Sequence, residues 1–302
     1  MKVLNQQVQL PILTEKNISL YIKREDMLHP FISGNKFRKL KYNLLQAQQL
    51  NAKSILTFGG AFSNHIAATA YAGKENGIKT IGVIRGEELA GKWQQNPTLS
   101  FAKKNGMEFK FVSRETYRKK NNPDFLTELK HQYKDSFILP EGGANDLAVK
   151  GCEEILTAED SMFNIVCSAV GTGGTIAGVI NSTNKNQRVL GFPALKGDFL
   201  KEDICKFAHK TNWELLKDYH FGGYAKVTQE LIEFINYFRT ETNIPLDPIY
   251  TAKMLFGILD LVRKDYFAPG TKIVAIHTGG LQGIEGMNSL LKKKKLPLIN
   301  EY

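Results

Sequence analysis

Three glycine-containing turns concentrate the residues that could do chemistry. Val170-Gly-Thr-Gly-Gly-Thr-Ile-Ala-Gly178 follows a buried-type apolar run and opens a helical one. Glycines let successive backbone N–H groups converge with no Cβ in the way, and a helix start adds partial positive charge. The turn therefore reads as a phosphate site. No Lys follows as in a Walker loop, and Ile176 breaks the G-x-G-x-x-G spacing. No confident ribose-binding acid stands about 20 residues on, so a dinucleotide is disfavoured. A turn that serves packing alone is the competing reading.

Ser33-Gly-Asn-Lys-Phe-Arg-Lys-Leu40 brings Lys36 to another helix start. An ordinary lysine is the neutral nucleophile in only about one molecule in 2,500 at neutral pH. The positive end of a helix, with Arg38 and Lys39 close by, would lower that pKa and favour a Schiff base with an aldehyde. The plain alternative is a solvated basic turn. Phe58-Gly-Gly-Ala-Phe-Ser-Asn-His65 is the third turn, with three polar side chains where an anion or carboxylate would be cradled. Ser63 is equally a natural N-cap. His65 is no triad member, because no G-x-S-x-G elbow is present.

Two later segments, Leu246-Asp-Pro-Ile-Tyr-Thr251 and His277-Thr-Gly-Gly280, also flank regular elements. In open α/β sheets ligands gather at the carboxyl ends of strands, so these turns could face one crevice.

The elements that would position them alternate along the chain. Strands are predicted at Ser54–Phe58, Thr80–Ile84, Glu108–Val112, Asn164–Ala169, Arg188–Phe192 and Lys272–His277. Helices are predicted at Lys36–Leu50, Ser63–Glu75, Ala144–Leu156, Thr175–Ser182, Val227–Arg239 and Pro248–Lys264, from apolar spacings of three and four. Alternation of this kind gives an α/β fold with parallel sheets under helices.

The chain of 302 residues, 42% of them hydrophobic, is long enough for about two domains and bury a real core. Three scattered cysteines, Cys152, Cys167 and Cys205, make neither a disulfide framework nor a zinc site, and favour a cytoplasmic setting. No secretory signal is expected near Met1. The low-charge stretch 163–180 holds too many glycines for a bilayer span. Net charge is +10, and without the Lys292–Lys295 run it is +6. No nucleic-acid signature accompanies it, and the run reads as a solvated terminal face.

Taken together, Lys23-Arg-Glu-Asp26, Gly34-Asn-Lys-Phe-Arg-Lys-Leu40, Ser63-Asn-His65, the Gly171–Gly178 turn, Leu246-Asp-Pro-Ile-Tyr250 and His277-Thr-Gly-Gly280 resemble, over nearly the full chain and in family order, the D-cysteine desulfhydrase and 1-aminocyclopropane-1-carboxylate (ACC) deaminase family. These are pyridoxal 5'-phosphate (PLP) enzymes of fold type II, similar to tryptophan synthase β. The resemblance implies two open, mostly parallel twisted sheets flanked by helices, with the cofactor in the interdomain cleft. A larger PLP-binding domain would comprise residues 1–35 and 144–302, and a smaller α/β domain residues 36–143. It implies that Lys36 carries the cofactor, that Lys39 lies near it, that Asn64 binds the ring hydroxyl, and that Thr172, Gly173, Gly174 and Thr175 hold the phosphate. Ser63 and His65 would contact the substrate carboxylate, beside Asn64, with Tyr250 reaching into the substrate pocket. Lys36, Ser63 and Tyr250 are the expected catalytic set.

Departures within the family point to one activity. Ser63-Asn-His65 replaces the Ser-Asn-Gln of typical ACC deaminases, and Thr251 replaces a Glu that can pair with the pyridine nitrogen. Both resemble D-cysteine desulfhydrases, in which the nitrogen faces a threonine that maps onto Thr278. A Glu at 251 is accordingly expected to face the ring. Ala67, Ala68 and Leu281-Gln-Gly depart from the family pattern and bear on substrate preference. The expected activity is α,β-elimination of D-cysteine, with ACC ring opening as runner-up. The expected partners are a small amino acid and a second copy in a homodimer, with no metal, nucleic acid or membrane.

Overall fold

In the central strands both odd and even residues are apolar and buried, as a sheet covered by helices on each face requires. Ile273 and Ala275 enter one core with Leu20, Ile22 and Leu190, while Val274 and Ile276 enter another with Val166, Val170 and Val189. The computed structural model describes residues 3–197 and 199–300. Its strands are β1 (Asn5–Val8), β2 (Ser19–Lys23), β3 (Ser54–Gly59), β4 (Lys79–Arg85), β5 (Glu108–Val112), β6 (Ser136–Leu139), β7 (Ile165–Val170), β8 (Arg188–Pro193), β9 (Trp213–Leu215) and β10 (Lys272–Ile276). They form a six-stranded sheet ordered β1-β2-β10-β7-β8-β9 and a four-stranded sheet ordered β5-β4-β3-β6. All pairings are parallel except β1 with β2. The fold is the expected α/β arrangement of two mostly parallel sheets flanked by helices.

The six expected strands are present with small shifts at their ends; Asn164–Ala169, for example, becomes Ile165–Val170. The helices Asn35–Gln49, Asn64–Glu75 and Gly174–Ser182 start and stop within one residue of expectation. Ala144–Leu156 shortens to Asp146–Glu153, where the Asn145 side chain accepts from the Ala148 N–H and fixes the start. Pro248–Lys264 begins only at Thr251, because the Asp247 carboxylate first gathers the N–H groups of Ile249, Tyr250 and Thr251. The lysine run closes the Gly283–Lys294 helix on its exposed side, where positive charge complements the helix dipole. No helix among the described residues is long and apolar enough to cross a membrane.

The Lys23-Arg-Glu-Asp26 motif ties the elements together with buried charge. Lys23 donates to both carboxylate oxygens of Asp160, at 3.0 and 2.8 Å, and neither residue is more than 2% exposed. Burial alone would raise the Asp160 pKa; the Lys23 ammonium and the Thr157 N–H hold it below its ordinary value instead. Arg24 pairs with Asp26 at 2.8 Å. Glu25 receives Arg38 in a fork, with both N···O distances 2.9 Å, and so fastens the helix that carries Lys36 and Lys39.

The start of that helix depends on one glycine. Gly34 has φ +59°, and a Cβ there would stand 2.1 Å from the Thr278 carbonyl oxygen and 2.6 Å from the Gly279 nitrogen. Backbone strain and overpacking each cost about 1–3 kcal/mol, so Gly34→Ala is expected to lose about 2–6 kcal/mol. A melting temperature within a degree or so of wild type would show that the helix start is not pressed on the 277–280 turn.

Candidate active site

The turns singled out by sequence open at the carboxyl ends of their strands. Gly171–Thr175 follows β7, His277–Gly280 follows the neighbouring β10, and the 60–65 segment follows β3 of the other sheet. Between them lies a cleft of about 610 Å³, a size suited to a cofactor with a small substrate. Lys36, Lys39, Ser63, Asn64, His65, Thr172, Gly173, Thr175, Tyr250 and Thr278 all line it. Gly174 lies just behind, where a Cβ would be 3.4 Å from the Lys39 Nζ.

Lys36 Nζ donates to Asn35 Oδ1 at 3.0 Å, and Asn35 Nδ2 donates to Thr175 Oγ1 at 2.7 Å. Asn35 thus joins the lysine to the phosphate-type turn. Burial first, then the Lys39 charge, lowers the Lys36 pKa from 10.5 to about 7. Lys39 is 2% exposed, donates to the Gly142 carbonyl at 2.9 Å, and is also lowered by burial. A Lys36 amine that loses its proton near pH 7 sets a testable expectation. Capture of PLP by the apoprotein should accelerate as pH rises through about 7 and then level off. A rate that keeps climbing into the ordinary lysine range would contradict the lowered value. The unfolded chain binds more protons at this site between about 7 and 10.5, so the Lys36 contribution to apoprotein stability rises with pH over that window.

The Gly174–Ser182 helix starts at Gly173, with φ +82° and no side-chain cap. Its first N–H groups lack carbonyls one turn back, as at any helix start; Gly173 and Thr175 line the cleft, with the Lys39 ammonium beside Gly174. A valine at 173 would meet Ile204 Cγ1 at 3.1 Å in a backbone region that side chains rarely adopt, so it would damage folding as well as anion binding.

Ser63 is both things the sequence allows: it caps the Asn64–Glu75 helix by accepting from the Ile66 N–H, and it lines the cleft. Asn64 Oδ1 accepts from Gln282 Nε2 at 2.9 Å, which leaves Nδ2 for a ligand oxygen. Gln282 belongs to the Leu281-Gln-Gly departure and steers this side chain. His65 is 2% exposed. The Thr57 hydroxyl donates to the Leu139 carbonyl at 2.9 Å, so at its 2.8 Å contact with His65 Nε2 the imidazole is the donor. His65 Nδ1 is then a bare, buried acceptor with no partner. Burial, then Lys36 and Lys39, push its pKa well below 6.5 and keep the ring neutral.

Tyr250 packs on the Gly171 backbone and lies edge-on to Tyr224, with centroids 6.3 Å apart. Burial raises both phenol pKa values, so both hydroxyls stay protonated, and they are hydrogen-bonded to each other. His277 anchors the other wall through Nε2 to the Pro245 carbonyl at 2.7 Å and Nδ1 from the Gly279 N–H at 3.2 Å. Thr251 corrects the sequence expectation for a Glu at that position. It is fully buried and turned from the cleft, its hydroxyl donating to Asp247 Oδ1 at 2.8 Å. A glutamate there would start beside the Asp247 carboxylate.

Sequence reasoning assigned no role to Asn35, Arg85, Glu141 or Tyr224, which also line the cleft. Asn35 stands inside a quoted motif, but the other three had no spacing signal.

An uncapped helix start beside an ammonium, a second lysine with a lowered pKa and an orphaned buried imidazole nitrogen together fit an aldehyde-bearing aromatic phosphate. The fold and this cleft define a PLP-dependent enzyme. Residues 5–279 match the family of pyridoxal-phosphate dependent enzymes, and the chain belongs to that family, in its ACC deaminase and D-cysteine desulfhydrase branch. A Pyrococcus horikoshii protein described as a candidate ACC deaminase is 32% identical over 292 residues, covering 90% of this chain and 87% of its own. The Arabidopsis thaliana mitochondrial bifunctional D-cysteine desulfhydrase/ACC deaminase is 29% identical over 294 residues, covering 88% of this chain and 73% of its own. A crystal structure of an ACC deaminase homologue superposes with TM-score 0.81 at 30% identity, covering 96% of this chain and 94% of that one. The cofactor is PLP, and the chain is a PLP-dependent lyase acting on a small amino acid.

Proposed function

We propose that the reaction is α,β-elimination of D-cysteine, in which D-cysteine and water give pyruvate, ammonia and hydrogen sulfide. PLP, when bound, supplies the electron sink that weakens the bonds at Cα. The protein does the rest. Lys36, which loses its proton near pH 7, removes the Cα proton and holds it at Nζ. The helix start at Gly173–Gly174, with Thr172, Thr175 and Lys39, holds the phosphate, and Asn64 Nδ2 donates to the ring hydroxyl. Ser63 orients the substrate, and His65 Nδ1 accepts a hydrogen from its ammonium or thiol. That contact replaces the carboxylate contact expected of His65, because a bare Nδ1 has no hydrogen to give. Tyr250 donates to the departing sulfur.

The observation that carries this reading is the pairing of Thr278 on the cleft wall with Thr251 turned away from it. The cleft-lining carboxylates are engaged: Glu88 with Arg114, and Glu141 with Tyr117 and Lys120. A threonine hydroxyl facing the ring nitrogen does not keep it protonated as a carboxylate would. That suits a substrate with an acidic Cα–H and a good leaving group. ACC has no Cα–H and needs deeper electron withdrawal. The names of the relatives favour ACC ring opening as the second reading.

We further propose that residues 36–143 form the smaller domain, residues 1–35 and 144–302 the larger one, and that the chain works as a homodimer. Incubating the PLP-loaded protein with D-cysteine, L-cysteine, D-serine and ACC tests the activity. Sulfide and pyruvate in equal amounts from D-cysteine, with slow or no 2-oxobutanoate from ACC, is the expected result. A kcat/KM for ACC equal to or above that for D-cysteine would install the second reading.

A further inference from the structure

Tyr224 reaches the cleft from a segment, 220–227, that belongs to no helix or strand. Phe221, Gly222, Gly223 and Ala225 have φ of +52°, +87°, +113° and +55°, so the turn on either side of Tyr224 is left-handed. Phe221 and Ala225 carry side chains there, which persists only where the surroundings impose it.

The surroundings are one face of the Thr251–Arg263 helix, on which Lys253, Phe256, Gly257 and Asp260 follow one another at helical spacing. Phe256 meets the Phe221 ring edge to face, with centroids 4.9 Å apart. Gly257 makes room for the Tyr219 ring, whose hydroxyl donates to Asp260 Oδ2 at 2.7 Å. Lys253 Nζ donates to the His220 and Gly223 carbonyls, both at 2.8 Å. A carbonyl oxygen can accept twice. Each of these already takes a hydrogen from within the turn, His220 from the Gly223 N–H at 3.0 Å and Gly223 from the Lys226 N–H at 3.2 Å. Lys253 therefore adds an anchor to a turn that has its own bonds.

That anchor is a charge held in an unfavourable setting. Lys253 is 1% exposed, and burial lowers its pKa from 10.5 to about 8, which the Asp247 charge offsets only in part. It does not line the cleft. The same helix has Tyr250 at its N-cap, and the Tyr250 and Tyr224 hydroxyls are hydrogen-bonded to each other. One helix thus sets Tyr250 directly and Tyr224 through the turn.

We propose that Lys253 is a positioning residue, holding the 220–225 turn so that the Tyr224 hydroxyl meets Tyr250 inside the cleft; its effect on turnover rests on the reading of Tyr250 as a group that acts on the substrate. The holoenzymes of wild type, Lys253→Met, Tyr224→Phe and the double variant test it. Methionine keeps the length of the side chain and removes its donors; if that variant does not fold, Lys253→Gln, with a shorter donor, replaces it. Hydrogen exchange followed by mass spectrometry reads the turn without any substrate. Turnover is followed with whichever of D-cysteine, L-cysteine, D-serine and ACC the wild type consumes fastest.

In Lys253→Met the amides of 219–226 should exchange about 10-fold faster, with peptides from 171–182 and 254–263 unchanged. kcat should fall about 10-fold with KM and PLP affinity within about twofold of wild type, the pattern of a contact made in the transition state. In the Tyr224→Phe background the same change should cost less than about twofold more, because a residue that acts through Tyr224 has nothing left to position. Unchanged exchange at 219–226, an unchanged kcat, or losses that simply multiply in the double variant would overturn the proposal. If none of the four amino acids is consumed, exchange alone decides. Faster exchange and non-multiplying losses with another substrate, but no sulfide from D-cysteine, would sink the proposed elimination and leave this inference standing. Sulfide from D-cysteine with unchanged exchange would do the reverse.

Discussion

Replacing Lys36 by alanine is expected to leave a folded protein that has lost the visible absorbance of bound cofactor and about 10⁴-fold or more of its turnover, the upper end for a positioned acid–base group. The position cannot be filled by its neighbours. Lys39 is held by the Gly142 carbonyl at 2.9 Å, and Arg38 lies in a fork with Glu25. Truncation removes a half-buried amine whose charged form is costly there, so the apoprotein should melt no lower than wild type. Absorbance and single-turnover sulfide release check the two halves separately. Retention of both would mean that another amine does the work.

The largest expected stability effect comes from Glu25→Ala. Glu25 is fully buried, Arg38 is 7% exposed, and their two hydrogen bonds are each 2.9 Å. Removing Glu25 leaves the buried Arg38 only the longer contact with Glu154 at 3.6 Å, and breaking a buried pair costs about 3–5 kcal/mol. At roughly 2–4 °C per kcal/mol, the melting temperature should fall by roughly 10 °C. Because Arg38 stands between Lys36 and Lys39 on one helix, cofactor affinity should fall with it. The double change Glu25→Leu with Arg38→Met should recover most of the stability, since two apolar residues leave no buried charge. A melting temperature for Glu25→Ala within 2 °C of wild type, an order-of-magnitude bound on the same scale, would show that the pair does not fasten the helix.

What could be read from sequence follows the physics of each feature. The Gly34–Leu40 and Gly171–Gly178 turns are legible because Gly34, at φ +59° and ψ −132°, and Gly173, at φ +82°, take up backbone conformations that favour glycine, and each precedes a helix. Buried strands such as β3 and β10 announce themselves as short apolar runs. The edge strands of the larger sheet do not: β1 is Asn-Gln-Gln-Val and β9 only Trp-Glu-Leu, too short and polar for an alternation to emerge. Thr251 shows a motif read at the wrong scale. Its hydroxyl completes a local ring of bonds with Asp247, four residues earlier, and that spacing was present in Asp247-Pro-Ile-Tyr-Thr251. Arg85, Tyr224 and Glu141 come from three different strand ends and loops, so their convergence exists only in the folded chain. The tautomer of His65 likewise depends on Leu139, which sequence places 74 residues away.

Reduction of the PLP-loaded protein with borohydride, followed by peptide mapping, addresses the central assignment directly. Reduction fixes the cofactor onto the amine that carries it, and the account predicts a single modified peptide containing Asn35-Lys36-Phe37 with the added mass on Lys36. Modification of Lys39 or of any other lysine, with Lys36 unmodified, would contradict it.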